Sequence, residues 1–217
     1  MEEKTHIKIL NSATLFMIIA SLMLLLGILP KYLPVTKELQ LRAFSLPPGS
    51  IQLFLSVGLF IPIIEELIFR LPLQYSNTNI VISLSFSIAM IFSEIYKFQF
   101  LKPYTSIQIF ASALLVILVL GFVFQKYLIL PEVFQSLYNK FNIPVFYLFV
   151  FAFAILHTVN IKNLTLSLLP VASCYIGQKL LMSFSLSYLR IKYGLIYSIA
   201  MHCLNNSIAL LVIRAFL

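Results

Sequence analysis

Charge is what this sequence most conspicuously lacks. Only 10% of its 217 residues are Asp, Glu, Lys or Arg, against 61% hydrophobic residues, and the mean hydropathy is +1.01. So few polar groups cannot cover a water-soluble globule, so the solvent is expected to be a bilayer. Cysteine is scarce too. Cys174 and Cys203 both stand in apolar stretches without metal-ligand spacing, which leaves buried free thiols as their expected state. The alternating ten-residue segments of a membrane barrel are missing. No Gly/Ser linker, internal repeat or low-complexity tract divides the chain, which reads as one domain over residues 1–217. No small-x-small cleavage site follows the first apolar run, so that run reads as a retained helix rather than a signal peptide.

What is present is a series of apolar runs long enough to span hydrocarbon as helices, at residues 11–30, 50–70, 79–97, 107–126, 144–161, 164–189 and 194–216. Only helices or closed barrels satisfy the backbone in lipid. The expected fold is therefore all-α without strands: a polytopic transmembrane bundle of about seven helices, multi-pass in the cell membrane. The loop from Lys31 to Ser50 carries Pro34, Pro47 and Pro48 and suits an aqueous or interfacial position. Between Pro131 and Pro144, Phe134, Leu137, Tyr138 and Phe141 repeat at helical spacing, as in a helix lying at the membrane surface; a loop with buried aromatics is the alternative. The formal charge is +8, but its basic residues are scattered through the loops. That pattern points to anionic lipid headgroups rather than nucleic acid.

The informative residues are the polar ones that a membrane ordinarily excludes, because an ionisable side chain at depth has a partner or a task. Glu66 and Arg70, in PIIEELIFR, are four apart with the acid N-terminal, the favourable order for an ion pair on one helix face. Glu65 is rotated about 100° from Glu66, which leaves it for separate work. A charge cluster marking a helix end is the plainer alternative. His202 and Asn206 share a face in the last run; His157 follows Phe153 by one turn. Each set alone reads equally well as hydrogen-bonded packing or interhelical glue. Together, a carboxylate, two imidazoles and an amide are the parts needed to activate a water and hold an oxyanion. Two further residues have quieter readings: Glu94 pairing with Lys97 near a helix end, and Lys179 snorkelling or facing a carbonyl.

These three sets, EExxxR at Glu65–Arg70, FxxxH at Phe153–His157 and HxxxN at His202–Asn206, resemble the signatures of the CAAX-processing and bacteriocin-protecting (CPBP) intramembrane proteases. That family is also called Abi or the type 2 CAAX prenyl endopeptidases. All three motifs are complete and in the family's order. The resemblance covers roughly residues 50–76 and 145–210. One departure stands out: residues 79–143 separate the first and second motifs, enough for two extra spans, where members of the family commonly place the second motif on the next helix. Phe86 and Met90 have the FxxxH spacing, but methionine stands where the histidine belongs. Residues 79–143 therefore read as a two-helix insertion.

The resemblance implies an intramembrane endopeptidase acting on a membrane-associated peptide or protein. Glu65 would be the catalytic carboxylate, helped by His157, His202 and Asn206, with Glu66, Arg70 and Phe153 in support. On this reading Glu65 activates water, His202 and Asn206 hold the oxyanion, and His157 positions the water or shuttles a proton. No cofactor is required. The rival chemistry places zinc on Glu65, His157 and His202, a donor set that matches a catalytic zinc shell. Two other classes stay open: a proton- or ion-coupled membrane transporter, to whose pathway Glu94 and Lys179 would belong, and a non-catalytic immunity or scaffold protein of the same fold.

Overall fold

The computed structural model describes residues 14, 40–41, 51–99, 111, 114–115, 117–119, 121–122, 132–162 and 165–216. The expected run 11–30, apart from Thr14, and the loop 31–50, apart from Gln40 and Leu41, lie outside them. So do the side chains of Glu94, Lys97 and Phe134.

The fold is helical, as the apolar runs require. Helix α1 is made of three consecutive segments: Ile51–Leu53, a π-helical stretch Phe54–Phe60, and Ile61–Phe69. Helices α2 (Asn77–Gln99), α3 (Glu132–Lys140), α4 (Asn142–Leu156), α5 (Leu169–Lys192) and α6 (Leu195–Phe216) follow. The described residues between 111 and 122 are helical as well. Apart from the helices, two two-residue segments, β1 (Gln40–Leu41) and β2 (Ile161–Lys162), pair antiparallel, with Gln40 opposite Lys162 and Leu41 opposite Ile161. Strands of two residues are too short to carry an alternating pattern. Helix α4 also stops short of the expected 161, because the chain tightens into a 3-10 turn, His157–Asn160, before entering β2.

The chain groups into two compact units, Met1–Ile63 with Phe146–Leu217, and Ile64–Val145. In the first, α5 and α6 form a hairpin. Pro170 opens α5, where its missing N–H is unneeded. Gly194 closes it with φ of 114°; its N–H donates to the carbonyls of Leu189 and Arg190 at 3.1 and 3.2 Å, the glycine-terminated helix end. Met182, Leu186 and Leu189 of α5 are buried together, with Tyr193 and Met201 packed on them. Ser198 Oγ of α6 donates to the Leu186 carbonyl at 3.0 Å. Cys174 and Cys203 are both free thiols, half-buried rather than buried as expected. Lys179 lies 5.6 Å from the Tyr175 ring centroid, one turn earlier on α5.

In the second unit, Ser76 caps α2, its Oγ accepting from Asn79 N at 3.0 Å. Ser83 Oγ of α2 donates to the Ile68 carbonyl of α1 at 2.7 Å. Helix α3 occupies the stretch in which a surface helix was anticipated. Its Tyr138 donates a hydrogen bond to the Pro72 carbonyl and packs its ring 5.1 Å from that of Tyr75.

Large apolar side chains lie on the surface as well as in the core, and several polar ones are buried. Leu84, Ile88 and Ile91 of α2, Leu148, Phe151 and Ile155 of α4, and Leu204, Ile208 and Leu211 of α6 are exposed, each set at helical spacing. Glu66, Arg70, Ser83, Ser183, Ser187, Ser198 and His202 are buried. By length and composition, Ile51–Leu73 is long and apolar enough to cross a membrane; among the described residues, Asn77–Ile91, Asn142–Leu156 and Leu195–Leu211 are apolar but shorter.

Candidate functional site

The first motif occupies the C-terminal turns of α1. Glu66 and Arg70 lie one turn apart, and the helix runs through them with Arg70 N donating to the Glu66 carbonyl at 2.9 Å. Arg70 Nε sits 3.4 Å from Glu66 Oε1, and both side chains have 0% exposure. The Arg70 guanidinium also lies 5.7 Å from the Phe69 ring centroid. Such a pair holds two charges where water does not reach, so each depends on the other. Glu65, on the next face, is half-buried. The two adjacent carboxylates thus differ in burial, Glu66 being fully buried and Glu65 half-buried.

Immediately beyond Arg70 the chain turns through the 3-10 segment Leu71–Leu73, and the Tyr138 phenol is hydrogen-bonded to this turn at Pro72. Burial pushes the Tyr138 phenol up to about 12, so it stays protonated and donating at neutral pH. Tyr138 figured in the sequence only as part of an apolar stripe; nothing in its spacing announced a partner 66 residues away.

The second and third motifs belong to the first unit. Phe153 is fully buried near the end of α4. Its ring centroid is 4.4 Å from that of His157 and 6.0 Å from that of His202, the latter pair edge-on at 72°. Both imidazoles therefore border one aromatic ring. His157 Nδ1 lies 2.8 Å from the Phe153 carbonyl. A carbonyl only accepts, so Nδ1 carries the proton, and in the neutral ring Nε2 is left as an acceptor. The 3-10 turn that begins at His157 leaves it half-buried, whereas His202, within α6, is 1% exposed.

Asn206 has a definite structural task. Its Nδ2 donates to the Val57 carbonyl at 3.1 Å, inside the π-helical stretch of α1. One turn earlier, Cys203 Sγ lies 3.8 Å from the Leu59 carbonyl. Gly58 lets the helices approach, since a Cβ there would stand 3.1 Å from Ser207 Oγ. Cys203 and Asn206 thus stitch α6 to the π-helical carbonyls. Asn205 Nδ2 reaches Asn206 Oδ1 at 3.5 Å and Met182 Sδ at 3.6 Å. Its doubling of the asparagine in MHCLNN was the signal that sequence reading passed over.

The structure therefore brings Glu66 to Arg70, His157 and His202 to Phe153, and Asn206 to the π segment. Glu65, Glu66 and Arg70 belong to one unit, and Phe153, His157, His202 and Asn206 to the other. Phe86 and Met90, the degenerate second-motif match, are half-buried on α2. Among the described residues no group of three His, Cys, Asp or Glu side chains is placed to hold a metal ion. No family model matches the chain, and no curated protein or solved structure matches it.

Proposed function

We propose that this chain is a multi-pass membrane endopeptidase that hydrolyses a peptide bond of a membrane-associated peptide or protein with a glutamate-activated water. The observation that carries the reading is the buried Glu66–Arg70 pair on a helix apolar enough to cross a membrane. Beside that fully buried pair, the adjacent Glu65 is half-buried on the next face of the same helix. The outward-facing leucines, isoleucines and phenylalanines of α2, α4 and α6, together with buried serines, glutamate, arginine and histidine, support a lipid surround. A water-soluble protein places these groups the other way round.

In the proposed reaction Glu65 takes a proton from water as its oxygen attacks the scissile carbonyl, and that proton passes to the leaving amine. His157, with Nδ1–H committed to the Phe153 carbonyl, presents Nε2 as an acceptor and suits water positioning or proton relay. His202 and the second N–H of Asn206 suit the oxyanion, since one Asn206 donor is already engaged with Val57. Glu66 and Arg70 act through structure, and Phe153 orients both imidazoles.

The test is hydrolysis of a lysine-flanked Leu-Ala transmembrane peptide, with products weighed by mass spectrometry. Glu65→Gln should fold normally and lose roughly 10²–10⁴-fold in turnover, the worth of a general base. Activity should also survive exhaustive chelation. Loss restored by zinc would overturn the metal-free mechanism. Turnover unchanged in Glu65→Gln would overturn the assignment of Glu65 as the base, and a parent protein without turnover would overturn the endopeptidase reading.

A further inference from the structure

A serine inside a helix has a ready partner for its hydroxyl in the carbonyl four residues earlier. Ser85, Ser87, Ser173 and Ser185 all use it, their Oγ atoms donating at 2.6–2.8 Å to the carbonyls of Val81, Ser83, Leu169 and Leu181. Ser187 does not. It is buried at 0% exposure, and among the described residues its Oγ meets no hydrogen-bond partner, although the Ser183 carbonyl stands in the same relation to it. A buried hydroxyl left unsatisfied costs free energy. Such groups are rare in folded proteins unless a ligand or an ordered water meets them.

The place of Ser187 in the α5–α6 hairpin shows what it faces. Met182, Leu186 and Leu189 form the seam on which Met201 of α6 packs. Ser183, Ser187 and Arg190 each follow a seam residue by one position and so are turned about 100° from it; His202 follows Met201 in the same way. Because the helices run antiparallel, equal turns in the chain direction bring these residues to the same side of the hairpin. All four are buried. The opposite flank carries Tyr188, Ala200 and Leu204, which are exposed. Ser198 Oγ at the Leu186 carbonyl and Asn205 Nδ2 at Met182 Sδ set the register, so that Ser187 stands level with Ser198 and His202 lies one turn further along α6. Helical side chains lean toward their own N-terminus, which carries the His202 imidazole back toward Ser187.

We propose that Ser187 Oγ and the His202 imidazole hold a buried water between them on this side of the hairpin. Water is the ligand that the chemistry selects. A lone hydroxyl and a ring nitrogen are too few polar groups for a charged or extended molecule, whereas a buried water is held by about two to four such groups, and the Ser183 hydroxyl stands one turn away on the same face. A hydrolase working in lipid needs its water where bulk solvent is excluded. A water kept beside His202 is a local supply. That use rests on the endopeptidase reading above; the water site itself does not.

The test is a crystal structure of the full-length protein, grown from lipid at a resolution that shows ordered water, for the parent and for Ser187→Ala and Ser187→Thr. The parent and the threonine variant, which keeps the hydroxyl, should show a water within about 3 Å of both that hydroxyl and a ring nitrogen of His202. The alanine variant should lose it. Hydrolysis of the Leu-Ala peptide should fall roughly five- to ten-fold in Ser187→Ala. It should stay at the parent level in Ser187→Thr and in Ser185→Ala, whose hydroxyl donates within its own helix. Ser187 Oγ bonded to a protein group in place of water, or a water that persists in Ser187→Ala, would overturn the proposal. The same water in a parent protein that hydrolyses nothing would sustain the site and sink the endopeptidase reading. Undiminished turnover in Ser187→Ala, with the parent active, would overturn the part given to this water in hydrolysis.

Discussion

Glu66→Gln isolates the energetic weight of the buried ion pair. The substitution keeps the side-chain volume but removes the negative charge from a site where neither partner is exposed, 3.4 Å from Arg70 Nε. Were the pair on the surface, its loss would cost about 0–1 kcal/mol. At zero exposure, the Arg70 cation loses the carboxylate one turn away, and breaking a buried pair of this kind costs about 3–5 kcal/mol. For a protein of this length each kcal/mol corresponds to roughly 2–4 °C in Tm, so the expected fall is roughly 6–20 °C. Cys174 and Cys203, both free and half-buried, supply the assay: a thiol-reactive fluorophore reports their exposure as the detergent-solubilised protein is heated. The double variant Glu66→Gln/Arg70→Met removes the Arg70 charge as well and should recover part of the loss. Turnover per folded molecule should fall less in Glu66→Gln than in Glu65→Gln. A single variant melting within about 2 °C of the parent, with no gain in the double variant, would refute the argument that this pair is held in a dry environment. Equal loss of turnover in the two glutamine variants with unchanged melting would show that the carboxylates act as one unit.

Asn206→Leu removes the donor to the Val57 carbonyl, which is then left without it at the helix interface. The expected loss is about 1–3 kcal/mol in thermal stability, and Asn206→Gln, with a longer reach, should recover only part of it. Tyr138→Phe frees the Pro72 carbonyl and should lower Tm in the same assay by the equivalent of about 1 kcal/mol. The phenol also sets a pH signature. Its pKa is raised on folding from about 10 to about 12, so the folded state holds the proton longer than the unfolded one. Stability from this group is fully present below pH 10 and declines as pH rises toward 12; denaturant titrations should show that slope in the parent and lose it in Tyr138→Phe.

The sequence made the helices readable because each is an apolar run, and it made the Glu66–Arg70 pair readable because i,i+4 spacing is local. What it did not disclose is long-range or without a compositional mark. Phe54–Phe60 is as apolar as the α-helical turns around it, so nothing separates an i→i+5 from an i→i+4 pattern. Asn206 was recognisable as a polar residue in an apolar helix, but its bond to Val57 depends on packing across 149 residues of chain. The β1–β2 pairing has the same character. The early end of α4 followed from no proline or glycine; His157 enters the tighter turn as the chain approaches β2. The neighbourhood of Phe153 was half readable: the His157 contact is one turn away, while the His202 contact belongs to the tertiary fold.

The π-helical stretch of α1 has a bearing on ancestry. Its hydrogen-bonded rings enclose one residue more than those of an α-helix, so a lineage can gain or lose a residue there while the helix on either side continues. Deleting one residue from Phe54–Phe60 would let the stretch relax to α-helix and withdraw the carbonyls now met by Cys203 and Asn206. Length at 54–60 and donor chemistry at 203 and 206 should therefore be inherited together: kin of this chain that are one residue shorter in the first segment should have lost the amide at the position of Asn206.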